Sequence, residues 1–557
     1  MFKKIIILTT LSVSAVFTRN VNFKVISFGN STEVQIVGGQ KFSLLPVNED
    51  PIFFKGQISN VTNSSFNYYY IVDGEKEKFV RTFDGKANST LNDFYGRKDT
   101  IKTLKTFQHP PSLSTWDRSI GKAELFDDSY IPTIHFTGNN VTENFFHHPG
   151  TKEPDLLEKV TIYLKDSVKI FTDVPATAKN METSKFQIRF KLGYKGIDGR
   201  YRLKLRNSGE DPLNLRQFIY GNMIQAIGMP SIHSVMARVY YNKKPVGFYV
   251  LQEEAYSESF IRAEFYGDPH TGKIDTTQTL GNPINGEAGS DFEYKPDNME
   301  FYENFEGNKT RLLPFCKAIN DLNPKMATQV KVFEKRWFDI DTFHKAMAIE
   351  YLTGDWDGYW YTESNFAIYD DPSESTNSTY RYYFITQDHD ETFGVGLCEP
   401  INSVGYNFTQ LSYTTMVNRT WEYLKGDKKN RVLVEKLIGG SKSLQKRFQE
   451  TLLAIVKTIF NPVVFREVVE SYRLRFTPEM EWDYSFIRPY NAGVVEGMPI
   501  YNYRHFLRNF EEGVGGLHWG LYRWVEERAD AIKKEFCITW PGDHNPPSAD
   551  CKPKKYF

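Results

Sequence analysis

Along the first hundred positions apolar and polar residues alternate, at Val21, Phe23 and Val25, again through Val34, Gln35, Ile36 and Val37, and again from Phe66 to Val72. Gly-Asn, Gly-Gly and Asp-Gly pairs punctuate these runs, so the pattern predicts short strands joined by turns and a small β-sandwich over residues 20–100. A polar stretch with Pro110-Pro111, residues 101–130, reads as a linker or a wrapping segment. The period then becomes mixed over 131–255. Strands are expected at Ile131 to Thr137, Lys159 to Leu164, Phe186 to Leu192 and Tyr201 to Arg206. A helix is expected from Asp211-Pro212 to near Gly228, then a hairpin from Val235 to Tyr241 and Val246 to Leu251. Helical spacing dominates 256–540, in Thr310 to Leu352, Lys428 to Phe460 and Asn502 to Phe536, and a polar tail fills 541–557. Within the first of these, Phe343, Ala346, Met347 and Tyr351 form one face, Asp341 is placed as N-cap and Gly354 as terminator.

Composition enlarges this picture. With 557 residues, 40% hydrophobic and 15% aromatic, the chain has material for more than one core. Lys and Arg number 68 against 69 acids, and no basic run interleaves with aromatics, which argues against a nucleic-acid partner. Residues 1–19 have the form of a secretory signal, with Lys3 and Lys4, an apolar stretch from Ile5 to Phe17, and Val13-Ser14-Ala15 as cleavage site. Nine Asn-X-Ser/Thr sequons, from Asn30 to Asn418, suit a glycosylated secreted chain. No other segment is apolar enough to span a membrane, and the C-terminal residues lack a glycolipid-anchor signal, so a secreted or surface location is expected. Four cysteines in an oxidising compartment suggest Cys537 with Cys551 and Cys316 with Cys398. Tyr68, Tyr69 and Tyr70 suggest carbohydrate stacking, or strand core packing.

The candidate chemistry sits in two acidic turns. Asp355-Trp356-Asp357-Gly358 follows the Gly354 helix end, Asn365 opens the next apolar run, and the strand Tyr380 to Thr386 runs into Asp388-His389-Asp390-Glu391-Thr392-Phe393-Gly394. A carboxylate after a helix, an amide a few residues on and a second carboxylate at a strand end suit phosphoryl transfer. The same residue types also serve structural Ca²⁺ binding or a glycosidase carboxylate pair. Upstream, Gly193, Gly196 and Gly199 lie between two strands, the second of which carries Lys204, in the order of a kinase amino-terminal lobe. A plain glycine hairpin has the same composition.

Taken together, these residues resemble the CotH kinase family, the spore-coat protein H type of atypical kinase, in its fungal secreted branch. The match is carried by Leu352 to Tyr369, Asp388 to Gly394, Arg202 to Arg206, Leu215-Arg216-Gln217, Gly247 to Leu251 and Gly289-Ser290-Asp291-Phe292. The resemblance implies an α+β chain in which the β-sandwich precedes an atypical two-lobe kinase-like fold, with 131–255 as one lobe and 256–540 as a helical second lobe. It implies ATP and Mg²⁺ or Mn²⁺, and transfer to protein hydroxyls. Asp357 matches the catalytic acid, Lys204 the phosphate-contacting lysine, and Asp388 and Asn365 the metal-binding pair, with Asp390 and Asp355 as supporting or alternative ligands. Gly193, Gly196 and Gly199, with Glu253 at the hinge position, complete the expected nucleotide site. Gln217 stands where related chains carry a glutamate that pairs with the lysine. The family also contains surface adhesins, so the alternative expectation is an adhesin or invasin that binds a host receptor or coat partner on a non-catalytic kinase-like scaffold.

Overall fold

A computed structural model describes residues 18–150, 152–399, 401–418 and 431–556. All but the last two positions of the expected signal lie outside the described residues, as does Lys428, the expected start of one helix. The chain divides into two compact units, one running up to Lys102 and including Tyr163–Val168, the other comprising Thr103–Ile162 and the chain from Lys169 onward.

In the first unit eight strands form one hydrogen-bonded sheet. The strand Lys41–Val47 pairs with Thr32–Ile36 through its first half and with Asp50–Thr62 through its second. The sheet therefore changes partner midway. Val21, Phe23, Val25 and Phe54 from one half and Val34, Tyr68 and Tyr70 from the other meet in one core, which is the reason for the period-2 pattern. Tyr68 and Tyr70 are buried and each donates its hydroxyl to Asp93 Oδ2 at 2.8 Å. Of the two readings of this group, Tyr68 and Tyr70 take core packing, and the Lys76 ammonium lies 4.1 Å from the Tyr69 ring centre.

The second unit is mixed α/β, with a closed barrel, a four-stranded sheet and a helical core. The barrel runs in the order Asp155–Tyr163, Val168–Lys179, Gln187–Lys191, Arg202–Arg206, Lys244–Glu253, Ser234–Tyr241, Thr133–Thr137. Asn242 and Lys243, both at positive φ, make the two-residue turn that suits the twist of its tightest hairpin. The sheet is ordered Phe305–Gly307, Ile284–Gly286, Phe366–Asp370, Tyr382–Thr386. Residues 103–130 wrap this unit: Leu104 and Phe107 enter its core, and the His109 ring lies 2.8 Å from Ala226 O and 3.0 Å from Leu113 O. The 22-residue helix Pro462–Asp483 was not anticipated. Pro478 and the valines at 463, 464, 468 and 469 weaken its sequence signal, whereas burial of Phe465, Tyr472, Phe476 and Met480 compensates in the fold.

Cys537 and Cys551 are bonded. The expected Cys316–Cys398 bond is absent: Cys316 is buried in the helix Leu312–Asp321, where burial pushes its thiol up, and Cys398 is exposed. Among the described residues no helix is long and apolar enough to cross a membrane.

Candidate active site

The first acidic turn is built at the end of the helix Ile340–Thr353. Its N-cap is Asp339, whose carboxylate accepts the Thr342 N–H, while the expected cap Asp341 pairs instead with Lys345 at 2.8 Å. Gly354 ends the helix at φ 62°, as its position predicts. Glu350 then organises the following residues by accepting the N–H groups of Tyr359 at 3.2 Å and Trp360 at 2.9 Å. A Cβ on Gly358 would fall 2.7 Å from the Glu350 carboxyl carbon, so this turn needs glycine there.

The second turn follows the strand Tyr382–Thr386 and is tied to the first. Phe393 N–H donates to Thr353 O at 2.6 Å, Trp356 Nε1 to Val395 O at 2.9 Å, and Gln387 N–H to Asn365 O at 3.0 Å. His389 Nδ1 lies 2.9 Å from Asp355 Oδ2. Glu363, Asn365, Asp388 and Phe393 all hold positive φ, a concentration of backbone strain typical of functional turns.

Two cations meet the acids from the strand Arg202–Arg206. Lys204 and Arg206 are two residues apart and so share a face. Lys204 Nζ donates to Asp388 Oδ1 at 2.8 Å, and Arg206 bridges Asp388 and Asp390. Burial disfavours ionised Asp388, but Arg206 and Lys204 outweigh it and hold the carboxyl well below the usual carboxylate range. Burial also lowers Lys204. Asp357 lacks such a cation: burial, then the charges of Asp355, Asp388 and Asp390, push it up to about 7. Asn365 Nδ2 donates to Asp357 O at 3.2 Å and to Asp357 Oδ2. The structure thus brings Lys204, Asp357, Asn365, Asp388 and Asp390 together.

It also adds residues that sequence reasoning missed. Arg206 is one, although its i+2 spacing from Lys204 on a strand was a usable signal. The helix Arg216–Ala226 supplies others: Gln217 Oε1 accepts the His389 N–H at 2.6 Å, and the Tyr220 ring stacks on His389 at 3.6 Å. Gln217 therefore fixes the backbone between the two acids, a task its neutral amide performs without a partner for Lys204. Beside the second turn, Glu210, Glu391, Gly396, Met498, Tyr501 and His518 contribute to a cleft of about 640 Å³. Burial and the Glu210 carboxyl push Glu391 up to about 11.

Two expected nucleotide elements sit differently. Glu253 pairs across strands with Leu203, whereas Lys204 pairs with Gln252, so Glu253 faces the opposite side of the sheet from Lys204. There its carboxylate accepts from Arg200 Nε at 2.8 Å, fully buried, and burial pushes it up to about 7. Glu253 is thus removed from the site by strand register. The glycine turn closes on itself through Gly196 N–H to Gly193 O at 2.6 Å, and Asp198 anchors it by accepting the N–H groups of Glu124 and Leu125. A Cβ on Gly196 would fall 1.9 Å from Arg200 O, so the turn itself accounts for that glycine.

Among the described residues no group of three or more His, Cys, Asp or Glu is arranged to hold a metal alone. Asp388, Asp390 and the Asn365 amide oxygen are hard donors, and such a sparse oxygen set suits Mg²⁺ or Mn²⁺, which take remaining ligands from phosphate and water.

Comparison with known proteins shows the family. The chain is 30% identical to invasin CotH3 over 98% of its length and 89% of the relative's, and 29% identical to invasin CotH2 over the same shares. It is 28% identical to spore coat protein homolog 1 over 95% of its length and 84% of the relative's, all three from Rhizopus delemar. The model of the CotH kinase protein family matches residues 177–512, a span that holds both acidic turns and the Lys204 strand, and the chain belongs to that family.

Proposed function

We propose that the chain is a secreted or surface-located kinase that transfers phosphate from ATP to hydroxyls of a protein substrate, with Mg²⁺ or Mn²⁺, on a two-lobe kinase-like body. The observation that carries this reading is the convergence of Lys204, Arg206, Asp388 and Asp390 on the Asp357–Asn365 pair. Asp388, Asp390 and Asn365 would hold the divalent ion, which neutralises charge on the transferring group when bound. Lys204 and Arg206, freed from the acids, would meet phosphate oxygens. Asp357, poised near 7, accepts the proton of the attacking hydroxyl. The names of the spore-coat and invasin relatives and the disulfide support the location.

A second reading, a surface binding protein for a host or coat partner, is favoured by the Arg206 bridge, which already occupies both Asp388 and Asp390. Incubation of the glycosylated protein with labelled ATP and Mg²⁺ or Mn²⁺ decides between them. Metal-dependent autophosphorylation supports the kinase; no transfer and no metal-dependent nucleotide binding by calorimetry leave the binding reading.

A further inference from the structure

The two acidic turns meet a pair of indoles from far downstream. Trp524, on the helix Leu521–Phe536, is fully buried and edges into the notch between the turns. A Cβ on Gly354 would fall 2.5 Å from its ring, and one on Gly394 would fall 3.2 Å from it and 2.7 Å from Trp519. The two indoles pack edge to face with centroids 5.0 Å apart. Trp524 Nε1 donates to Leu352 O at 2.9 Å, capping a carbonyl that the helix end leaves without an intrahelical partner. Behind it, the Arg528 guanidinium lies 5.6 Å from the Trp524 ring and donates to Leu411 O at 2.9 Å, so the indole is backed on its own helix.

We infer that Trp524, with Trp519 against it, is a positioning residue that sets the spacing between the Asp355–Asp357 turn and the Asp388–Asp390 turn. That role bears on catalysis only through the kinase reading above; the wedge itself does not depend on it. An ordinary core tryptophan would cost stability wherever it was cut. This one touches both glycines that let the turns form, and holds a carbonyl one residue from the Phe393–Thr353 bond that joins them.

The test uses the full, disulfide-bonded chain with Trp524→Phe, Trp524→Leu and the control Phe536→Leu. Phe536 lies on the same helix, about 18 Å along its axis, packed on Tyr413 and Tyr556. Hydrogen exchange over 353–358 and 388–396 should accelerate together in Trp524→Leu and less in Trp524→Phe, with no change in Phe536→Leu. In the same variants kcat should fall by about 100-fold for Trp524→Leu while KM for ATP stays within about threefold, because displaced groups lose orientation before affinity. Unchanged exchange in both turns, or an equal kcat loss in Phe536→Leu at matched melting temperature, overturns the assignment. If the wild-type chain transfers no phosphate, the kinase reading falls and exchange alone decides: joint loss of protection upholds the wedge, and none removes it.

Discussion

Asp93 in the first unit and Asp388 in the second are both aspartates set against arginine, and they are held in opposite ways. Asp93 is 2% exposed and saturated by Tyr68, Tyr70, Arg81 and Thr100, all within 25 residues of it. Arg81 in turn is held by Glu77 and by the carbonyls of Phe94 and Arg97. Asp388 has a side chain 31% exposed on a left-handed backbone at φ 56°, and its cations come from a strand more than 180 residues earlier. What separates the two is surplus charge. Around Asp93 the acids are matched by donors; around Asp388 stand Asp355, Asp357 and Asp390, and Asp357 is raised first by burial and then by the neighbouring acids. A saturated cluster stabilises a core, whereas a strained cluster of acids with a shifted carboxyl marks a candidate functional site.

The sharpest way to break this comparison is to neutralise both aspartates. If the proposed kinase reading holds, Asp388→Asn should lower turnover by about 10⁴-fold and abolish metal-dependent nucleotide binding. Its melting temperature should also fall, because buried Lys204 loses its partner and Arg206 keeps only Asp390, although asparagine tolerates the left-handed backbone. Nucleotide affinity that survives in calorimetry would place the metal elsewhere. Asp357→Asn should lower turnover by about 10³-fold yet leave nucleotide affinity nearly intact, since in the proposed reading that acid acts on the acceptor hydroxyl. A parallel loss of affinity would make it a ligand instead. Asp93→Asn should differ from both in turnover: unfolding measured by denaturant should cost about 3 kcal/mol, because a buried cation is left short of its partner, while turnover is unchanged. Equal turnover loss would erase the distinction between the two clusters.

A further test is a pH dependence of the second unit. His135 accepts the Lys243 N–H at 3.0 Å through Nε2, and His344 is buried beside Leu437 O; burial, with nearby Lys159 and Arg447 respectively, lowers each to about 3. A histidine depressed on folding contributes stability that is present above its unfolded value of 6.5 and is lost as pH falls from there toward 3. Each should cost about 1.4 kcal/mol per pH unit in that window. Melting temperatures at pH 7, 6 and 5 should therefore decline, and His135→Gln should flatten the decline. An unchanged slope would show that this ring already carries its proton in the folded chain.

The second unit also shows which features a linear sequence reveals. Gly354, the acidic turns and Lys204 were legible because each depends on local spacing: a helix end, an i+2 pair of acids, a strand residue after glycines. Local i+2 spacing puts Arg206 on the Lys204 face, but its contacts with Asp388 and Asp390 span more than 180 residues and only the fold shows them. Glu253 was misplaced by strand register, where one residue decides the face. Cys316 and Cys398 satisfied an even count, but one is buried and the other exposed, and parity says nothing of distance. Tyr68 and Tyr70 looked like a sugar platform because aromatic residues on a strand read alike whether they face core or solvent.

The Arg200–Glu253 pair that displaced the expected hinge residue extends further, since Arg200 Nη2 also lies 3.6 Å from Glu264 and Glu264 lies 3.1 Å from His233. All four side chains are buried, so loss of Arg200 alone would leave Glu253 without its cation, while Glu264 keeps His233 and the Ser119 hydroxyl. As such chains diverge, Arg200 and Glu253 should be exchanged together rather than one at a time. A relative with an apolar residue in place of Arg200 should lack Glu253 as well, leaving a correlated substitution between a turn and a hairpin end that are far apart in the chain.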